Sequence, residues 1–593
     1  MRLINWIVAG LCFASPVFAQ ETADAVAPET ATALGAETLN EAIAQSQAAK
    51  AAGKPVVAQN WMLSVANPYA AQAGAKVLVE GGTAADAMVA VQTVLGLVEP
   101  QSSGLGGGAF LVWYDAETGK LSSLDGRETA PLAARPTLFL DAQGEPLKFY
   151  DAVVGGRSVG TPGTPALMQE AHRRWGKSKW ASLFSPAIGL AENGFRVSPR
   201  LAEMVANDAA RLRHDTATRD YFLPDGHPIL AGQTLVNAAY AKSLRELAGR
   251  GVGAFYSGGL AKDIVAKVQG DEDNPGTLAA IDLALYKVIE RDPVCAAYRG
   301  YEVCGMGAPS SGGLTVGMIL GMLEQHDLTS AQDAQAWLLL GDASRLGFAD
   351  RGRYIADSDF VPVPSKGLLA PDYLSKRGAL LGGPEALTEV APGQPEFDHS
   401  YNLADDEAIE LPSTSHISIV DSYGNALSMT TTVENAFGSR LMVGGFLLNN
   451  ELTDFSFRSH RDGVPIANRV EPGKRPRSSM APTIVLKDGK PVVVLGSPGG
   501  SRIIPYVAKT LVAHLDWGLD AQQAVALPHL VNRFGGYDVE EGTDAEGMVA
   551  PLREMGFEVN TRALNSGLHM IVLSEEGLSG GADPRREGIV LGK

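Results

Sequence analysis

Thr414-Ser415-His416-Ile417-Ser418-Ile419-Val420-Asp421, deep inside a chain of 593 residues, opens on a hydroxyl and runs on as a strand. β-Branched residues suit a pleated sheet, and a turn, Asp421-Ser422-Tyr423-Gly424-Asn425, leads to a second hydroxyl cluster, Thr430-Thr431-Thr432. A threonine heading a strand becomes an amino-terminal nucleophile if the chain cuts itself just before it. Its freed α-amine, which titrates near neutral pH, then serves as general base for its own hydroxyl. An ordinary Thr-rich strand fits the same residues, so the rest of the sequence has to decide.

Apolar residues make up 45% of the chain and charged residues 20%, ordinary values for a soluble globular protein. No repeat of solenoid or propeller period is present. The formal net charge of −18 argues against nucleic acid or an anionic membrane as partner. Met1-Arg2, an apolar run from Leu3 to Phe13 and then Ser15-Pro16-Val17-Phe18-Ala19-Gln20 have the form of a secretory signal, residues 1–19, cleaved after Ala19. That run is too short to span a bilayer, and no other segment reaches the length of a membrane helix. The mature protein is therefore expected in the periplasm or secreted, with no membrane anchor. Residues 20–52, rich in Ala, Glu and Thr, read as a mobile leader. Cys12 leaves with the signal. Cys295 and Cys304 flank Tyr298-Arg299-Gly300-Tyr301, a hairpin turn, where a cross-hairpin disulfide and two separate buried thiols both fit.

Residues 70–97 follow a helical pattern broken by Glu80-Gly81-Gly82. Gly104-Leu105-Gly106-Gly107-Gly108-Ala109 superficially matches a dinucleotide fingerprint, but the strand, Phe110-Leu111-Val112-Trp113-Tyr114, follows it instead of preceding it. Close backbone packing explains those glycines better. Residues 160–350 read mostly as helices, with amphipathic stretches at 165–175 and 314–325. From about Leu411 strands dominate, at 415–420, 426–432, 481–486, 492–495 and 569–573, with helices at 504–515 and 521–527. Two domains fit this division, and so does one domain whose sheets draw strands from both parts. Residues 458–477 carry six basic side chains and read as a solvated loop. The loop ends in Ser478-Ser479-Met480-Ala481-Pro482, where adjacent hydroxyls are placed to cap a carboxylate.

Chemistry-bearing residues gather between Thr414 and Arg502: Thr414, Thr432, the acids Glu434, Glu451 and Asp454, and Ser497-Pro498-Gly499-Gly500-Ser501-Arg502. Consecutive glycines ahead of a helix present backbone N–H groups to a developing oxyanion. The acids suit a cationic group such as an α-amine. Together they outline an amidase site for an amino-acid-like substrate, and they suggest no metal and no organic cofactor.

The sequence resembles the γ-glutamyltransferases (glutathione hydrolases) of the N-terminal-nucleophile hydrolase superfamily. The matching stretches keep their order almost end to end. They include Leu105-Gly106-Gly107-Gly108-Ala109-Phe110, Gly126-Arg127-Glu128-Thr129-Ala130-Pro131, Gly160-Thr161-Pro162-Gly163 and Pro309-Ser310-Ser311-Gly312-Gly313. Thr414-Ser415-His416, Gly445-Phe446-Leu447-Leu448-Asn449-Asn450, Asp454-Phe455-Ser456, Pro476-Arg477-Ser478-Ser479-Met480, the 497–502 run and Gly581-Ala582-Asp583-Pro584-Arg585 follow.

The resemblance implies an α+β fold, the four-layer αββα sandwich, cut between Ser413 and Thr414. A large subunit of residues 53–413 and a small catalytic subunit of residues 414–593 then share one intertwined domain. It implies Thr414 as agent of self-cleavage and then nucleophile, Thr432 as the hydroxyl that positions it, and Gly499 and Gly500 as the oxyanion hole. Arg127, Ser478 and Ser479 match the residues that take a glutamyl α-carboxylate, and Glu451 and Asp454, with Glu434 beside them, those that take the α-ammonium. Implied substrates are glutathione and other γ-glutamyl compounds as donors, with water, an amino acid or a dipeptide as acceptor.

Departures from the family pattern are specific. Many members carry Asn where this chain has Glu434 and Gln where it has Glu451, and the stretch between Asp454 and Ser478 is shorter and lacks a covering Tyr. His416 lies two residues from Thr414 on one strand face, where a structural or maturation role fits better than a Thr–His pair. The alternatives are a sibling acylase for glutaryl or β-lactam side chains, which has no use for an ammonium clamp, and a non-catalytic γ-glutamyl-peptide binding protein, which is never cut.

Overall fold

The residues after Thr414 form a strand in which Ile417 and Ile419 face a helical layer, while His416 and Ser418 face a second sheet. The computed structural model describes residues 41–399, 402–406, 408, 410–411 and 413–593, so the expected signal segment lies outside the described residues. Fourteen strands among them build two seven-stranded sheets. In chain order these are β1 Val56–Ala58, β2 Met62–Val65, β3 Gly108–Asp115, β4 Lys120–Gly126 and β5 Ile289–Arg291. Next come β6 Val294–Tyr298, β7 Tyr301–Gly305, β8 Ser415–Val420 and β9 Ala426–Thr432. The last are β10 Thr483–Lys487, β11 Lys490–Gly496, β12 His569–Ser574, β13 Gly577–Ala582 and β14 Ile589–Gly592. One sheet runs β1–β13–β12–β11–β10–β7–β6 and the other β14–β2–β8–β9–β3–β4–β5, antiparallel throughout.

Seven helices matter below: α1 Glu41–Ala51, α2 Pro68–Val79, α3 Ala84–Val98, α4 Thr164–Trp175, α5 Gly312–Leu323, α6 Ala334–Tyr354 and α7 Ile503–Leu515. Asn67 caps the start of α2, with Pro68 in its first turn, and Thr83 and Asp86 form a capping box on α3. Leu63, Leu111, Ile417, Ile419, Leu427 and Met429 pack one sheet against α2 and α3. Val303, Val485, Val493, Leu495 and Met570 pack the other against α5, α6 and α7. Met62, Val112, Ile484, Val494 and Ile571 fill the space between the sheets. This is the expected αββα sandwich, and both sheets mix early and late strands.

Glycines 106–108 sit where the backbone of Leu447, the carbonyl of Thr432 and the carboxyl of Glu128 leave no room for a Cβ, and no nucleotide-binding helix follows them. Cys295 and Cys304 pair across the β6–β7 hairpin and are joined by a disulfide.

Two expectations need correcting. The leader reading of residues 20–52 fails over 41–51, which form α1. Ile43 and Ser46 are buried there, Ser46 Oγ accepts the Val590 N–H of β14 at 3.1 Å, and Lys50 Nζ donates to the carbonyls of Arg586 and Gly588 at 2.8 and 2.7 Å. The solvated reading of residues 458–477 holds only near a short hairpin, His460–Arg461 with Val464–Pro465. Further on, Lys474, Arg475 and Arg477 are buried, and Arg477 is paired with Asp406 at 2.7 Å. Among the described residues no helix is long and apolar enough to cross a membrane, and no cluster of three metal-ligating side chains occurs.

Candidate active site

Thr414 sits just ahead of β8, buried, with φ at +107°. A β-branched residue in that region costs about 1–3 kcal/mol, which the surroundings have to impose. Its hydroxyl donates to Thr432 Oγ1 at 3.0 Å, and the same Thr432 oxygen accepts the Glu434 N–H at 2.9 Å. Thr432 ends β9 opposite Gly108, and Ser415 pairs with Thr431, so the hairpin register brings the two threonines together.

Arg127 follows β4 and reaches a wall built by residues more than 300 positions later. Its guanidinium pairs with Glu451 and, at 2.5 Å, with Asp454, and it donates to the carbonyls of Pro476 and Arg477 at 3.1 and 2.8 Å. Burial would lower its pKa, yet Glu451, Asp454 and Glu128 together hold it above the usual guanidinium range. Burial also pushes up the acids: Glu451 and Asp454 well above their ordinary values, Glu434 to about 7 and Glu128 to about 8, with Arg127 opposing in each case. Glu451 Oε2 and Asp454 Oδ1 are buried without a hydrogen-bond partner, unlike almost all such atoms in folded proteins.

Thr414, Thr432, Arg127, Glu434, Glu451, Asp454, Ser478 and Gly500 line one pocket together with Glu410, Leu411, Met480 and Ile503. Gly500, at φ +58°, opens the short turn Gly500–Arg502 leading into α7, and there the main chain of Glu410 and Leu411 takes the place of a Cβ. Of the predicted catalytic and substrate-binding residues, two stand outside the lining. Gly499, at φ +138°, has the ring of Tyr506 where a side chain would go. Ser479 turns its hydroxyl to Arg351 Nη2 at 2.8 Å, away from the direct contact with a ligand carboxylate expected of it, because the Arg351 guanidinium is buried behind it.

His416 is held by Thr430 at 2.9 Å and by Ser418 at 3.1 Å, and burial keeps its pKa well below the ordinary value. A neutral imidazole bonded to two hydroxyls between the sheets fits the structural reading of it.

Sequence reasoning passed over Glu128, Glu410, Arg351 and Arg586. Glu128 was visible beside Arg127 in the 126–131 stretch. Glu410 is joined to Arg351 across the chain, and its carbonyl accepts the Ser501 N–H at 3.2 Å. Leu411 N–H donates to Glu434 at 3.3 Å, and Ser413 Oγ donates to the Gln101 carbonyl at 2.7 Å. Glu410 and Leu411 thus lie across the pocket as a strap and leave about 20 Å³ free, room for one or two waters.

A stacked-sheet αββα fold with a threonine at the head of a central strand, facing a polar pocket, defines an N-terminal-nucleophile hydrolase. The family model for gamma-glutamyltranspeptidase matches residues 70–592, and the chain belongs to that family. It is 37% identical over 552 residues to the glutathione hydrolase proenzyme of Bacillus subtilis (strain 168), covering 90% of this chain and 92% of that protein. With the glutathione hydrolase proenzyme of Escherichia coli (strain K12) it shares 36% identity over 549 residues, 90% and 91% of the two chains. Among solved structures, the cephalosporin acylase from Bacillus halodurans superposes with a TM-score of 0.81 at 26% identity over 91% of this chain and 97% of that one. The protein is an enzyme of the gamma-glutamyltranspeptidase type.

Proposed function

We propose that the chain cuts itself between Ser413 and Thr414 and then moves γ-glutamyl groups from glutathione and related donors to water or to the amine of an amino acid or dipeptide. In the first reaction Thr414 Oγ1 attacks the Ser413 carbonyl carbon, the C–N bond breaks and the nitrogen takes the proton. Water then hydrolyses the resulting ester, leaving the Ser413 carboxylate and a free Thr414 α-amine. The positive φ of Thr414 favours this step, since the strain disappears once the peptide bond before it is gone.

In the second reaction the α-amine takes the hydroxyl proton as Oγ1 attacks the γ-carbonyl of the donor, and passes it to the leaving amine. The acyl group rests as an ester on Thr414 until water or an acceptor amine displaces it. Gly500, with Gly499 beside it, supplies N–H donors to the oxyanion, Thr432 aligns the nucleophile, and Glu434, Glu451 and Asp454 hold the donor α-ammonium. Arg127 and Ser478 take the α-carboxylate, with Ser479 and Arg351 behind them. The observation that carries this reading is the pair of unpartnered buried carboxylate oxygens, Glu451 Oε2 and Asp454 Oδ1, in the pocket that Thr414 faces. An α-ammonium would displace the proton that burial favours on these acids, and a γ-glutamyl donor brings one where a glutaryl side chain does not. Export to the periplasm or medium follows from the signal-like start of the chain.

A Thr414→Ala variant is expected to remain one intact chain on a denaturing gel and to release no aniline from a γ-glutamyl anilide. Wild-type protein is expected to give two fragments and to turn over glutathione, faster with a dipeptide acceptor. An uncut wild type, or one that prefers glutaryl anilide to γ-glutamyl anilide, would sink the proposal and favour a binding protein or an acylase respectively.

A further inference from the structure

We infer that Arg586 is the positioning residue that keeps Thr414 in register after the chain has been cut, an assignment that rests on the nucleophilic role of Thr414 given above. Arg586 Nη1 donates to the Thr414 carbonyl at 3.0 Å and Nε donates to Asn565 Oδ1 at 2.8 Å, with the side chain buried. Thr414 lies one residue ahead of the first ladder pair, Ser415 with Thr431. Its carbonyl is therefore held by a side chain where the residues after it are held by the sheet.

The timing of the restraints makes this contact matter. In the intact chain Thr414 is tethered from both sides, upstream through Ser413 Oγ on the Gln101 carbonyl and Leu411 N–H on Glu434. Cleavage hands those upstream bonds to the other fragment. A new chain end frays unless it is tied down. Two points remain on Thr414 itself: the hydroxyl on Thr432 and the carbonyl on Arg586. Together they fix the plane of the Thr414–Ser415 peptide and one end of the side chain, and so the relation of amine to hydroxyl on which proton transfer depends.

Arg586 is in turn built in. The Asp583 carboxylate accepts N–H groups from Leu568 at 3.1 Å and Arg585 at 2.9 Å, and Asp583 N–H returns a bond to the Leu568 carbonyl at 2.9 Å. Gly567 packs so closely that a Cβ there would stand 2.9 Å from Arg586 Cδ. Lys50 of α1 fastens the carbonyls of Arg586 and Gly588 from the far end of the sequence. Glu99, just after α3, accepts from Ser415 Oγ at 3.2 Å and lies within the field of Arg586, so the large fragment steadies the residue after the nucleophile.

The test compares Arg586→Gln and Arg586→Lys in the full-length chain after processing, with active sites counted by the burst of aniline from a γ-glutamyl anilide. Arg586→Gln is expected to lower kcat per counted site by about tenfold to a hundredfold, the order that a misplacement of about 1 Å costs. KM should stay within about twofold and Arg586→Lys should recover part of kcat. A role confined to folding would reduce the number of counted sites and leave kcat per site alone, and that result would overturn the assignment. If Arg586→Gln yields no soluble processed protein, Lys50→Met keeps Arg586 and loosens only its loop. A smaller fall in kcat at constant KM is then expected, and no change in kcat would overturn the assignment. Failure of the underlying reading is recognised separately, by a wild type that gives no fragments and no burst.

Discussion

Glu434 joins two chemistries at one residue. Its backbone sits at φ +76°, its N–H donates to the Thr432 hydroxyl, and its carboxylate accepts from Asn450 and from Leu411. Burial raises the carboxyl to about 7, against the bonds from Asn450 and Leu411 and the charge of Arg127, so its protonation changes near neutral pH. An α-ammonium beside it favours the ionised form, which means that binding expels the proton and that protons compete with substrate. KM for a γ-glutamyl donor should therefore rise as the pH falls through about 7 and level off above it. In Glu434→Gln that slope of KM should weaken, Glu451 and Asp454 still facing the ammonium, while any acid limb of kcat, which belongs to the Thr414 amine, persists. A pH-independent KM in the wild type would show that Glu434 does not meet the ammonium. Arg127 is governed by the opposite sign: its charge is locked in by buried carboxylates, and it stays protonated throughout this range.

At the scale of elements, the strap of Glu410 and Leu411 stands just ahead of the proposed cut and would set precursor apart from enzyme. The Glu410 carboxylate on Arg351 and the Glu410 carbonyl on the Ser501 N–H would hold the proposed scissile bond beside the Gly500 turn, in space a donor has to enter. A hydrogen bond to a charged group is worth about 1.5–3 kcal/mol, and 1.4 kcal/mol is a factor of ten in rate. Glu410→Gln should slow self-cleavage about tenfold or more in a gel time course. The fraction that does mature should match wild type in kcat and KM, because the strap has left the pocket by then. An unaltered cleavage rate, or a changed KM in the mature protein, would refute the latch. The strands and helices that build this frame were readable because their patterns are local: Ser415–Val420 and Ala426–Thr432 fall where the sequence puts them, and α2 and α3 break at Gly81-Gly82. What escaped the sequence depends on distant partners. Ser479 points to Arg351 and not into the pocket, Arg127 finds Glu451 and Asp454 across the fold, and α1 is ordered by strand β14, not by its own composition.

For the molecule as a whole, the proposed cut at Thr414 would fall inside a fold that it cannot divide. Five ladders pair a strand before the cut with one after it: β1 with β13, β2 with β14, β2 with β8, β3 with β9, and β7 with β10. Neither fragment retains a sheet with its own complete packing, so both have to unfold together. Processed protein should lose its secondary and tertiary signals in one urea transition, with the fragments separating only there. Because that transition turns one folded unit into two free chains, its midpoint should move up with protein concentration. Each tenfold increase contributes about 1.4 kcal/mol to the folded side. The uncut Thr414→Ala precursor unfolds to a single chain, so its midpoint should not depend on concentration. Sedimentation across the urea series distinguishes the cases directly. Fragments that part below the main transition would mean that the cross-cut ladders contribute little, and that the two pieces fold as separate units which only dock.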